Sequence, residues 1–474
     1  MFLFAGILLL SGCSEKDDSE PEVKSSEKKI LVFRFDQFTP PVTATIDESM
    51  KTITAVLPPE ADPANLTPHI EISAKAAVSP ASGSSLNFTT PVNFTVTAED
   101  GSTVIYTTNV SVTASGPELL EGSMTANRTL VDRGPGIDYI VNDMLYLDGN
   151  ALITIEPGVT IGFTGVSAGI VVGENAGLKM VGTATKPIIL TGPVNNNNKG
   201  SWAGIVYYSN RADNLMDYVQ LINGGHASSE AAISLNGNSS LRMTNSSIRG
   251  SSMYGIVMYY GKLPVFSNNV IDGCEDAPIW CGDINLLGTL GNTNTFTNNS
   301  KPYILVDNGM TIDNSLTIPN PGIPIRLDES VFVYKDLNLG EGVVLEFEYG
   351  MMMYVQNGGM LNAVGNSQYP VVFRGVLAEP GAWGGISIET SRNNRLEHCI
   401  VRDGGFDTYS TRANVTAWDG SKLSLNNVKL LKSAGYGFQF AGSVNLTHSS
   451  VVFEECALGN VYDYDNDMAY PNFP

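Results

Sequence analysis

The sequence predicts an all-β chain: an antiparallel β-sandwich followed by a solenoid of stacked parallel strands, built in two copies. Three observations carry this. Six short segments place an isoleucine in one slot: Ala168-Gly169-Ile170, Ala203-Gly204-Ile205, Ala231-Ala232-Ile233, Tyr254-Gly255-Ile256, Ala277-Pro278-Ile279 and Pro302-Tyr303-Ile304. Their spacings of 35, 28, 23, 23 and 25 residues, with abundant Gly and Asn and no helical period, mark a solenoid whose coils share a core. The pattern then restarts about 182 residues on, at Met352, Ile386, Val415, Phe438 and Val461. Ahead of this, residues 29–115 alternate apolar and polar residues with period two, as half-buried strands do.

The chain opens with an apolar run, Phe2 to Leu10, too short to cross a bilayer and suited to a signal peptide. Leu10-Ser11-Gly12-Cys13 resembles the lipobox of bacterial lipoproteins, which implies a signal peptide over 1–13 and lipid attachment at Cys13. Residues 14–28 are polar and charged, the composition of a disordered tether. Their opening Ser14-Glu15-Lys16-Asp17-Asp18 resembles the surface-export signal of Bacteroidota lipoproteins. That resemblance implies an outer-membrane location facing the cell exterior, with membrane contact only through the lipid.

In the sandwich, Phe94, Val96 and Ala98 share one face, and Val104, Tyr106, Thr108, Val110 and Val112 follow after Asp100-Gly101. Asp-Gly between two alternating runs is a hairpin signal, because both residues tolerate positive φ. Leu66-Thr67-Pro68, Val78-Ser79-Pro80-Ala81-Ser82-Gly83 and the Phe94–Gly101 segment resemble the immunoglobulin-like modules of Bacteroidota surface lipoproteins. This implies a spacer without chemistry of its own.

The two solenoid copies, about 129–306 and 320–474 within 116–474, share many landmarks. Trp202-Ala203-Gly204-Ile205 returns as Trp383-Gly384-Gly385-Ile386, Asn223-Gly224-Gly225 as Asp403-Gly404-Gly405, and Cys274 as Cys456. Asn245, Asn268, Asn427 and Ser450 each follow a ladder residue by 12, the place of a left-handed corner. These features resemble the right-handed parallel β-helix of the pectate-lyase-like superfamily. Eleven or twelve coils in one continuous stack are expected, with Asp307–Pro324 as an irregular crossover.

The 48 acidic and 27 basic residues, net −21, argue against nucleic-acid binding. With four His and five Cys there is little material for a metal centre, and no cofactor is expected. Asp463-Tyr464-Asp465-Asn466-Asp467 copies the start of a calcium loop but lacks its Gly and Glu, leaving room only for adventitious calcium. Cys274 and Cys281 either bridge or pack as small buried residues.

Candidate chemistry is sparse. Tyr208, Tyr259 and Trp418 follow their ladder residue by three, and with Trp280 and Tyr462 they are the candidate sugar-stacking platforms. Glu397, His398, Arg402, Asp403 and Asp407 form the most polar group and the weak catalytic candidates, although Glu397 and His398 should face opposite ways on a strand. Trp202 and Trp383, in one slot of both copies, read as structural. The reading is a monomeric surface lipoprotein that binds polysaccharide or cell-surface glycan, or acts as an adhesin, without catalysis. A polysaccharide lyase or glycoside hydrolase of the β-helix type is the alternative, and a purely structural spike the third.

Overall fold

The computed structural model describes residues 23–474 except 60, 114–115, 194–195, 197 and 407–409. The chain divides into two compact units at residues 115 and 116.

In the first unit, Phe33, Phe35, Phe88 and Phe94 meet mostly edge to face, with Phe33 and Phe94 centroids 5.3 Å apart. This cluster lies between a three-stranded sheet (Val42–Thr43, Ile30–Phe35, Pro68–Ile72) and a five-stranded one (Thr45–Asp47, Thr52–Leu57, Thr103–Val112, Val92–Thr97, Ala77–Ser79). The Asp100-Gly101 turn forms the expected hairpin, pairing Phe94 with Tyr106 and Val96 with Val104. One pairing departs from the antiparallel expectation: Thr52–Leu57 runs parallel to Thr103–Val112. The Thr52–Leu57 strand reaches that edge after its own hairpin with Thr45–Asp47, so it enters from the opposite end.

The second unit is a parallel β-helix. In its first half each turn passes through three sides, as in Gly204–Tyr207 (side one), Leu215–Asp217 (side two) and Val219–Ile222 (side three). Ala231–Leu235 then returns to side one. Ile205, Ile233, Ile256 and Ile279 are direct neighbours on successive turns. Their column continues through Ile304, Ile325, Leu345, Phe373, Val401, Leu430 and Phe453. Each fully buried aliphatic rung stabilises the stack by about 1.5–3 kcal/mol relative to exposure.

Side one counts fourteen strands, more than the eleven or twelve turns expected. Ser123–Met124 and Met144–Leu147 add two turns ahead of the first Ile rung, and Ile325–Leu327 adds another just after Asp307–Pro324. Instead of an irregular crossover, Asp307–Pro324 carries two ordered strands, Thr311–Ile312 and Leu316–Ile318. There side three stops at Thr295–Thr297 and a new side four begins with Thr311–Ile312, inserted between sides one and two. The second copy is consequently turned by one side. Its ladder of Met353, Ile386, Val415, Phe438 and Val461 climbs side four and does not extend the Ile205 column. Register also corrects the expected first rung: Met353 pairs with Ile386, whereas Met352 pairs with Gly385.

The corner residues Asn245, Asn268, Asn427 and Ser450 all have φ between 48° and 57°. His398, 12 residues after Ile386, takes the same corner at φ 47°. It therefore bends the Asn394–Arg402 strand from side two to side one, contrary to the straight strand expected there.

Candidate functional site

Side four carries a cleft of about 1130 Å³. Its lining takes in Tyr354 and Ser387 from the outward column of that side. Tyr354, Ser387, Thr416, Gln439 and Tyr462 are neighbours in register, one strand apart. Thr416 and Gln439, farther along this column, are fully buried and do not line the cleft, so its open trough lies beside Ser387.

The aromatic borders are Tyr349, Tyr354, Phe406, Trp418 and Tyr464. Tyr354 stacks on Phe332 of the preceding turn, with centroids 5.2 Å apart. Burial, with the Glu389 charge as a second cause, raises its phenol above the ordinary value. Trp418 meets Tyr464 edge-on at 5.6 Å. Its indole N–H donates to Ser387 Oγ at 2.9 Å, and Ser387 in turn donates to Glu389 Oε1 at 2.9 Å. That relay fixes the indole at the side of the trough. Gln439 binds the chain above it, donating to Ser410 O at 2.5 Å and accepting from Arg412 N at 3.1 Å.

Three carboxylates stand at the cleft margin: Glu389, Asp419 and Asp465. Asp419 Oδ1 accepts from Ser443 N at 2.7 Å, and Asp465 Oδ2 from Gly442 N at 2.6 Å. Flat aromatic faces beside fixed acceptors suit a polyhydroxylated ring, whose C–H faces pack on aromatics while its hydroxyls donate.

Of the residues expected to form one aromatic platform, the cleft contains Trp418. Tyr462 is 6% exposed, stacked on Tyr436 at 4.5 Å, with its hydroxyl donating to Asp467 at 2.6 Å. Tyr259 and Trp280 lie on side one, 5.1 Å apart, where the Tyr259 hydroxyl bonds Glu230. Tyr208, 48% exposed, borders a smaller hollow with Asn210 and Asn236. The five residues thus do not form one strip, because the second copy faces another way. Glu389 and Tyr464 follow Ile386 and Val461 by three, the slot that singled out Trp418, so the same count would have found them.

The polar group of the second copy does not converge either. Glu397 pairs with Arg395, while Arg402 bonds the buried Asp403 at 2.8 Å beyond the His398 corner. Asp407 and Cys13 lie outside the described residues. Asp463 accepts from Asp465 N, Asn466 N and Asn466 Nδ2 and so closes its own turn. Among the described residues no cluster of three or more His, Cys, Asp or Glu could hold a metal ion. Cys274 and Cys281 are free thiols, not a bridge.

Trp202 and Trp383 are fully buried. Trp202 stacks on Phe163 at 4.0 Å and donates to Ile222 O at 2.9 Å. A Cβ on Gly224 would approach its ring to 2.7 Å, so the glycine makes room for the indole.

Comparison with known proteins divides at the same boundary. Residues 122–259 match the family model described as a pectate-lyase like beta helix domain. No curated protein matches. Among solved structures, a candidate glycoside hydrolase of Bacteroides thetaiotaomicron is 28% identical over 21% of this chain and 29% of its own, with a TM-score of 0.17. This chain therefore spans less than a third of that protein. A candidate secreted protein of Bacteroides fragilis is 24% identical over 18% of this chain and 95% of its own, with a TM-score of 0.15. Residues 30–110 match the family model described as SGBP, N-terminal, so a domain similar to that of surface glycan-binding proteins precedes a β-helix similar to that of pectate lyases.

Proposed function

We propose that this chain is a cell-surface glycan-binding protein that holds a polysaccharide segment in the side-four cleft. The observation that carries the reading is the cleft itself: Trp418, Tyr354 and Tyr464 beside the fixed acceptors Glu389, Asp419 and Asp465. The match of residues 30–110 to the SGBP N-terminal model supports it. In this reading Trp418 is the central stacking platform, and the Tyr259–Trp280 pair on side one, with Tyr208, is a weaker second contact. Cys13 would carry the lipid that holds the chain to the outer membrane, and the monomer would be the binding unit. Loss of fatty-acid labelling in Cys13→Ser tests the anchor.

Binding of the intact chain to a glycan array, followed by Trp418→Ala, tests the main claim. At least one glycan should bind, and the variant should lose tenfold or more in affinity, as central aromatic contacts do. Absence of any binding, or equal binding by Trp418→Ala, would sink it. The hydrolase alternative draws on the same three carboxylates, since glycoside hydrolysis uses two facing acids. Release of new reducing ends from a bound glycan, abolished by Glu389→Gln, would favour it.

A further inference from the structure

We propose that the side-four cleft takes an uncharged polysaccharide and rejects polyuronates and sulfated glycans; this selectivity rests on the glycan-binding reading of the same cleft. The basis is the charge and bonding of the lining. It contains Glu389, Asp419 and Asp465, and among the described lining residues there is no Lys, Arg or His. A uronate or sulfate held against the Trp418 ring would need a cation or several unspent N–H donors to replace its water. Four of the lining donors are already committed: the Trp418 indole to Ser387, Ser387 to Glu389, and the Gly442 and Ser443 amides to Asp465 and Asp419; the side-chain donors left are neutral hydroxyls such as those of Tyr349 and Tyr464.

What the cleft offers instead is acceptors. Each carboxylate uses one oxygen on a protein donor, which fixes its orientation, and the other oxygen meets no donor among the described residues. A sugar hydroxyl donating to such an oxygen makes a charge-assisted bond, stronger than one to a neutral acceptor. An acidic sugar in the same place meets like charges within a partly enclosed site, where water screens them poorly. The net charge of −21 adds a repulsive field of the same sign at longer range.

Arg412 follows the lining residue Thr411 but acts on the buried Tyr462 and does not line the cleft, and two further arginines that could bind an acidic sugar lie on side one, already paired. Arg326 and Arg374 both clamp Glu346, at 2.9 and 2.6 Å, and Arg326 also lies 3.7 Å from the Tyr303 ring centroid.

The test is affinity electrophoresis or calorimetry of the intact chain against uncharged glucans, mannans and xylans and against polygalacturonate, alginate and chondroitin sulfate, at low and high salt. Uncharged ligands should bind with little salt dependence, and the acidic ones should not bind even at low salt. The triple variant Glu389→Gln, Asp419→Asn, Asp465→Asn keeps an oxygen acceptor for each internal bond. It should bind the uncharged ligand at least tenfold more weakly. Trp418-dependent binding of a polyuronate or sulfated glycan by the wild type, or unchanged binding of the uncharged ligand by the triple variant, would overturn the selectivity and leave glycan binding standing. Absence of binding to either class would overturn the glycan-binding reading and this proposal with it.

Discussion

Trp383 lies flat on Phe347, ring centroids 4.3 Å apart and planes 11° from parallel, and donates its indole N–H to the Arg402 carbonyl at 2.8 Å. Trp202 and Phe163 repeat the arrangement 181 and 184 residues earlier, at 4.0 Å and 7°. Each pair joins the strand that ends one turn to the corner that opens the second turn after it, so the duplication copies a packing unit as well as a sequence. Either Trp→Ala change removes a large buried ring and leaves a buried carbonyl without its donor. A loss of about 3–5 kcal/mol is expected for each in urea unfolding. A loss below about 1 kcal/mol would show that the core closes around the gap.

The inner corner of side two depends on stacked amides. Asn269 accepts from Ser246 N at 3.0 Å, donates to Met243 O at 3.0 Å, and bonds Asn294 of the next turn. Asn294 in turn donates to Phe266 O at 3.0 Å. Asn269→Ala strands two buried backbone groups of the preceding turn, Ser246 N and Met243 O, each costing about 1–3 kcal/mol. Asn268, exposed and bonded only to its neighbours in the corner row, should cost much less when changed to Ala. Equal stability loss for the two variants, measured by thermal unfolding, would contradict this division.

Much of the β-helix was legible because its signals are local. A buried rung demands an apolar residue at each turn, and a left-handed corner demands Asn, Gly or a tolerated substitute, so both leave periodic traces. The turn of the second copy by one side left none. It depends on how Thr311–Ile312 and Leu316–Ile318 pair across turns, which is a long-range matter of register. For the same reason Trp418 and Trp280 looked like members of one strip, although side four and side one carry them separately. The cleft carboxylates were missed for a different reason. Glu389 shares the slot of Trp418, where only aromatic residues were sought, and Asp419 and Asp465 stand four after Val415 and Val461, past the strand ends and outside the columns counted.

Burial governs the thiols. It raises Cys274 and Cys399 from 9.0 to about 12, and raises Cys281 and Cys456 as well. These four thiols should accordingly react slowly in the native chain with a disulfide reagent near neutral pH, with partly buried Cys456 first among them, and react fully once unfolded. The sign for stability follows. Between about pH 9 and 12 the unfolded chain releases thiol protons that the fold retains, so stability falls as pH rises. Tyr259 and Tyr462, held up to about 12 chiefly by their bonds to Glu230 and Asp467, add a loss of the same sign above pH 10. A denaturation midpoint that rises with pH across this range would contradict the assignment.

Ser387 tests whether the relay from Trp418 to Glu389 positions the stacking ring. Its hydroxyl is fully buried, accepts from the indole and donates to Glu389, so it is the only link between the two in that relay. Ser387→Ala removes both bonds but little volume, and the indole N–H and Glu389, both near the open cleft, can regain water. Stability should therefore change by no more than about 1 kcal/mol. Glycan binding should weaken several-fold, since a platform free to turn loses orientational freedom on binding. Trp418 fluorescence, isolated by comparison with Trp418→Phe, should shift to the red as the indole N–H meets solvent. Ser387→Thr, which keeps the hydroxyl, should restore part of the affinity. Weaker binding with an unshifted spectrum would assign Ser387 to direct contact with the sugar instead of to positioning the ring. Unchanged binding together with a shifted spectrum would show that the ring needs no such anchor.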